Sequence, residues 1–124
     1  MFNIHPLRGR FVVRGRRTPQ GIEVDVICGN MQMHPLPLRL DWANCSPTGF
    51  EWGYMGSGPA QLALAILGLV LPRHRALDLY QLYKGGVIAS LPYDQWEIRR
   101  AQIDAWLLGH GATTARTRQE GAHA

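Results

Sequence analysis

The loop Gly53-Tyr54-Met55-Gly56-Ser57-Gly58 runs straight into Pro59 and an apolar stretch. Glycines let a ligand approach the backbone closely, and the unpaired N–H groups of a helix start favour negative charge. Gly56, Ser57 and Gly58 are therefore candidate anion-binding residues, for phosphate or carboxylate. No Gly-Lys-Ser/Thr follows, and no βαβ unit surrounds the loop, so neither a Walker loop nor a dinucleotide fingerprint is present. The competing expectation is a tight turn feeding a buried helix, with Ser57 or Gly58 as its N-cap. Around this loop gather Trp42, Phe50, Glu51, Trp52 and Tyr54, more aromatics than one loop readily buries. Exposed tryptophan and tyrosine anchor protein interfaces, so these five residues are candidate protein-binding residues, with packing against the following helix as the alternative. Glu51 or Asp41 would serve as a general acid or base, and Cys45 or Ser57 as a nucleophile. The sequence identifies no partner for any of them. His5, His34, His74, His110 and His123 show no HExxH or paired spacing. The expectation is no catalytic set, no metal and no cofactor.

Arginine supplies the second chemistry. Arg8, Arg10, Arg14, Arg16 and Arg17 fall within the first 21 residues, which hold no acid, whereas residues 22 to 115 carry six bases against eight acids. The formal charge of +4 thus belongs to one end of a slightly acidic body. An arginine-rich N-terminal edge would contact phosphates of a nucleic acid with steep salt dependence. A charged edge strand protected against pairing is the bland counterpart. No helix-turn-helix, zinc finger or RNA-reading aromatic motif accompanies the cluster, which favours non-specific over sequence-reading contact.

These residues need elements to hold them. A length of 124 residues with 46% hydrophobic and 18% charged residues suits one globular domain. Phe11-Val12-Val13 and the alternating Ile22-Glu23-Val24-Asp25-Val26 read as a hairpin closed by Thr18-Pro19-Gln20-Gly21, with Glu23 and Asp25 able to face Arg14 or Arg16. Met31 to Leu40, interrupted by Pro35 and Pro37, reads as a third strand running into an edge segment. Ala60 to Leu71 is apolar all round except for Gln61, the pattern of a buried helix, and Pro72 ends it. A second helix is expected from Arg73–Ala76 to Gly85-Gly86, and a third near Ile98 to Leu108 with Ile103, Trp106 and Leu107 inward, stopped at Gly109 and Gly111. The fold class is α+β, a small antiparallel sheet of about three N-terminal strands packed with about three C-terminal helices, the first one buried. Residues 1–111 form the expected domain, and 112–124, without core residues, an expected disordered tail. Cys28 and Cys45 make no framework and read as free thiols, and no signal peptide or membrane-length apolar run is expected, which points to the cytoplasm.

The core Gly49-Phe50-Glu51-Trp52-Gly53-Tyr54-Met55-Gly56-Ser57-Gly58-Pro59-Ala60-Gln61-Leu62-Ala63-Leu64, with Leu36-Pro37-Leu38-Arg39-Leu40 before it and Tyr83-Lys84 and Trp96 to Leu107 after it, resembles a small uncharacterised bacterial domain family. Its members recur as accessory genes of phages, plasmids and integrative elements. The resemblance spans roughly residues 10 to 110. Cys45 and Met55 stand where the resembled pattern more often has histidine and glycine. The resemblance implies a mobile-element context and no mechanism. With it, the expected function is a non-catalytic interaction protein that docks on a host protein or nucleoprotein complex, for instance an anti-CRISPR-like inhibitor of host defence. The alternatives are a nucleic-acid binder using the arginine edge, and a small enzyme or nucleotide binder using the Gly53–Gly58 loop.

Overall fold

The computed structural model describes residues 7–111. The expected tail at 112–124 lies outside the described residues. Strands β1 (Phe11–Thr18), β2 (Gly21–Cys28) and β3 (Met33–Pro35) come first, followed by helices α1 (Ser57–Leu67) and α2 (Arg73–Gly86). A single 3₁₀ turn at Ile88–Ser90, strand β4 (Gln95–Arg99) and helix α3 (Arg100–Gly109) complete the domain. All pairings in the sheet are antiparallel, in the order β3-β2-β1-β4. The expected α+β class holds, with one addition: the third helix starts at Arg100, and the residues just before it form a fourth strand. Trp96 and Ile98 are buried while Gln95, Glu97 and Arg99 are exposed, a period-two alternation in a stretch too short to stand out from the helix that follows.

β4 changes the position of the arginines. It pairs with β1 from Val12↔Arg99 to Arg16↔Gln95, so β1 is an interior strand and not the expected arginine-rich edge. The true edges are β4 and the three-residue β3, which ends on a proline that has no N–H to offer.

One face of the sheet meets the helices. Phe11 and Val13 of β1, Val24 and Val26 of β2, and Trp96 and Ile98 of β4 are buried there, against α1, whose residues from Gly58 to Leu67 are all buried. α2 contributes Ala76 and Tyr83, and α3 contributes Ile103 and Leu107. Gly15 is required on β1 because Trp96 crosses it: a Cβ at this position would lie 2.3 Å from the indole. Arg100 anchors the chain ahead of β1, its Nη1 donating to the carbonyls of Leu7 and Gly9 at 2.7 and 3.0 Å.

A buried amide fixes the long connection from β3 to α1. Gln61 is fully buried, and its side chain is satisfied at both ends. Its Oε1 accepts from the N–H groups of Cys45 and Ser46 at 2.8 and 2.9 Å. Its Nε2 donates to the carbonyls of Leu38 and Ala43 at 2.6 and 3.0 Å. An apolar helix tolerates one polar residue when every lone pair and hydrogen is used, and Gln61 meets that condition.

Candidate functional site

The helix start departs from expectation. Gly56 is the N-cap of α1 and makes no side-chain hydrogen bond, and Ser57 is the first helical residue, exposed and capping nothing. A side chain does reach the first turn, but from outside the helix. Glu51 packs against Gly58, where a Cβ would lie 2.6 Å from the Glu51 Cβ. The chain thus brings its own acid to the end of α1 that favours negative charge.

Glu51 is gripped by an arginine taken from the sheet. Alternation along β1 puts Arg17 on the same face as Phe11 and Val13, away from Arg14 and Arg16. Its Nη2 and Nη1 donate to Oε1 and Oε2 of Glu51 at 2.8 and 3.1 Å, a bidentate fork. Its Nε donates to the Tyr93 carbonyl at 2.8 Å, and its own backbone N–H to the Asp94 carbonyl at 3.0 Å. The guanidinium lies 3.9 Å from the Tyr93 ring centre and 4.6 Å from that of Trp52. Trp52 in turn donates its indole N–H to the Tyr93 carbonyl at 2.9 Å and meets Trp96 edge to face at 5.3 Å. One cluster therefore joins β1, the loop before α1 and the segment before β4.

The electrostatics follow from this geometry. The fork from Arg17 holds the Glu51 carboxyl below the usual carboxylate range; partial burial opposes this, and the Trp52 N–H adds to the lowering. Glu51 raises Arg17 in the same way. A carboxylate so held remains ionised and is a poor proton acceptor.

The other arginines of the cluster are dispersed. Arg16 pairs with Glu23 at 2.8 Å, on the cross-strand register Arg16↔Glu23, and Arg14 lies opposite both Asp25 and Glu97. Nη2 of Arg14 contacts the Met33 sulfur at 3.4 Å. Arg8 and Arg10 are exposed ahead of β1. Of these, Arg16 makes an ion pair with a neighbouring strand, whereas Arg14 faces Asp25 and Glu97 in the register without pairing with either.

The aromatic candidates separate by depth. Trp52 is a core residue at 1% exposure, whereas Tyr54 stands 51% exposed beside Met55 at 63%. Phe50 and Trp42 are half-buried against the core, Trp42 under the Arg39 guanidinium at 4.5 Å and against Gly68. Tyr93, which sequence reasoning did not select, is 69% exposed next to the Arg17–Glu51 pair. Cys45 is half-buried with its thiol 3.8 Å from the Tyr80 hydroxyl, which burial pushes to a raised pKa, helped by the neighbouring thiol. Cys28 is also a free thiol.

Beside the Arg17–Glu51 pair opens a groove of about 1050 Å³. Its floor and walls come from β2 (Gly21 to Asp25), the departing segment Pro35, Leu36 and Leu38, the turn at Ser46–Phe50, and Tyr54, Ser57 and Tyr93. The turn is built by Ser46, whose hydroxyl donates to the Gly49 carbonyl at 2.8 Å, and by Gly49 at φ 137, which a side chain would strain. The charged residues lining the groove are Glu23, Asp25 and Glu51 against Arg17.

Among known families, residues 13–109 match a family of unknown function, DUF6166. The chain belongs to that family. The matched span begins within β1 and closes with the last residue of α3, so it takes in the Arg17–Glu51 pair, the groove and Gln61 but not Arg8 or Arg10. Comparison with curated proteins and with solved structures returns no match. Among the described residues, no helix is long and apolar enough to cross a membrane, and no group of histidine, cysteine and carboxylate residues is placed to hold a metal ion.

Proposed function

We propose that this DUF6166 domain is a non-catalytic docking module that receives a segment of a partner protein in the groove beside Arg17 and Glu51. The observation that carries the reading is the groove itself: an open trough of about 1050 Å³ whose rim exposes Tyr54 and Tyr93 over a rigid post. That volume is at the upper end of what small-molecule sites enclose, roughly 300–1000 Å³, and the groove is open to solvent, which suits a polypeptide better than a compact ligand. The lining favours binding over turnover. Its serine and threonine hydroxyls, Thr18, Ser46, Thr48 and Ser57, have no histidine or cysteine beside them in the lining, and its best-placed carboxylate is committed to Arg17. It also disfavours a polyanion, since acids outnumber bases there. Of the N-terminal arginines, Arg16 and Arg17 are held in ion pairs, and the exposed Arg8 and Arg10 lie outside the family span. The partner class, a host protein or nucleoprotein complex bound by a mobile-element product that inhibits host defence, is supported by the domain's size and the resemblance of its Gly49–Leu64 segment.

Site-specific photocrosslinking tests the reading. A photoreactive residue at Thr48, in the groove, is expected to capture a discrete partner from bacterial lysate, and Tyr54→Asp with Met55→Asp to abolish the capture. The same probe at Leu82, exposed on α2, is expected to capture nothing. Equal capture from both positions, or none from Thr48, would refute the proposal.

A further inference from the structure

The groove is the place where a strand is missing. β2 and β3 pair in a register that joins Asp25 to Pro35, Val26 to His34 and Ile27 to Met33. The same register continues one step past β3, where the Leu36 N–H donates to the Val24 carbonyl at 3.0 Å, and one step before it, where the Cys28 N–H donates to the Gln32 carbonyl at 2.9 Å. Val24, Val26 and Cys28 therefore turn their backbone groups toward β3, and by alternation so does Ile22. The next partner in line is Leu38, opposite Ile22. It never arrives, because Pro37 intervenes and the buried Nε2 of Gln61 takes the Leu38 carbonyl at 2.6 Å. Among the described residues, the N–H and C=O of Ile22 and the N–H of Val24 are left without a hydrogen-bond partner. Five consecutive residues of β2, Gly21 to Asp25, line the groove, as a strand does when it lies edge-on.

Resting on the docking reading above, we infer that the occupant is an extended, basic segment of a partner protein, added as a strand beside Ile22 at the open end of β2. The main chain of the guest would take the hydrogen bonds that Leu38 forgoes, which is the general mode of strand addition at an open sheet edge. Charge selects the guest. Glu23, Asp25 and Glu51 line the groove against Arg17 alone; Arg17 is consumed by Glu51, Glu23 is shared with Arg16, and Asp25 has no ion pair among the described residues. A lysine or arginine of the guest meets Asp25. The opposite wall offers the hydroxyl of Thr48 and the rings of Tyr54 and Tyr93 to alternate side chains.

The test uses the full chain and two capped eight-residue peptides, one alternating lysine with valine and the other alternating glutamate with valine. Amide hydrogen exchange is read residue by residue. The basic peptide is expected to slow exchange at Ile22 and Val24 and to bind about tenfold or more tightly than the acidic one, and Asp25→Lys to reverse that order. Thr48→Trp, which fills the groove from the exposed wall, is expected to abolish the protection. Unchanged exchange at Ile22 and Val24 at millimolar basic peptide, or equal binding of both peptides, overturns the inference. So does protection already present in the free chain: if Arg116→Glu with Arg118→Glu releases it, the chain's own terminal segment is the occupant, and if it rises with protein concentration, a second copy is. Capture from Thr48 with Ile22 and Val24 unmoved removes strand addition and leaves the docking reading standing. Loss of that capture with the two amides still protected does the reverse.

Discussion

Glu51 and Arg17 are 34 positions apart, and each presents a recognisable chemistry alone, the one as a general acid or base and the other as a phosphate contact. Brought together, they cancel those roles and form a structural post. Partly buried, bidentate and stacked on two rings, the pair should contribute more than an exposed salt bridge, which typically gives about 0–1 kcal/mol. We expect Glu51→Gln to lower unfolding free energy at pH 7 by roughly 1–3 kcal/mol, as loss of a hydrogen bond to a charged group does. The pH dependence gives the sign. Because the folded carboxyl titrates below its usual value of about 4.3, its stabilisation is fully present above that value and is lost as pH falls through the lower folded value. Denaturant unfolding of the two proteins should therefore differ at pH 7 and converge in acid. Gln61 is the second residue of this kind. Gln61→Leu strands the Cys45 and Ser46 amides and the Leu38 and Ala43 carbonyls, and with each buried unsatisfied group costing about 1–3 kcal/mol, a loss of 3 kcal/mol or more in a urea titration is expected.

At the scale of elements, the glycines divide by what a side chain would meet. Gly15→Ala drives a methyl into the Trp96 indole and Gly58→Ala drives one into the Cβ of Glu51, so both should destabilise by roughly 1–3 kcal/mol, the usual cost of overpacking. In the helix this outweighs the gain of about 1 kcal/mol that alanine brings over glycine. Gly109→Ala, in the last turn of α3 with nothing within 4 Å, should be neutral or stabilising in a thermal melt. Ser57→Ala, at an exposed residue that caps nothing, should change stability by less than about 0.5 kcal/mol. These contrasts show what the sequence made legible. The hairpin, the buried α1 and the facing of Glu23 and Asp25 toward Arg14 and Arg16 follow from alternation, apolar runs and turn chemistry that act over a few residues. β4 did not, because five alternating residues abut a helix without a turn between them. The Arg17–Glu51–Tyr93 cluster is legible only once β4 draws Tyr93 and Asp94 beside the end of β1. Two local signs did point beyond themselves: Gly15 within a strand, which marks close approach of another side chain, and Gln61 within an apolar helix, which marks a buried polar hub.

Residues 7–111 form a four-stranded sheet with its helices gathered on one face, and with a sheet defect held open by its own core. Gln61 both fastens the β3–α1 connection and diverts Leu38 from the sheet. The same amide that stabilises the fold therefore creates the groove. Glu51 and Trp52, a few residues earlier, stiffen its rim through Arg17 and Tyr93, leaving Tyr54 and Met55 at the surface. The most direct test of the docking account is a hydrogen-exchange footprint of the full chain in complex with the partner captured from Thr48. Slowed exchange is expected at residues 21–24 and 46–58 and nowhere else. Protection centred instead on Arg8 and Arg10 or on the β4 edge, with the groove unchanged, would contradict it.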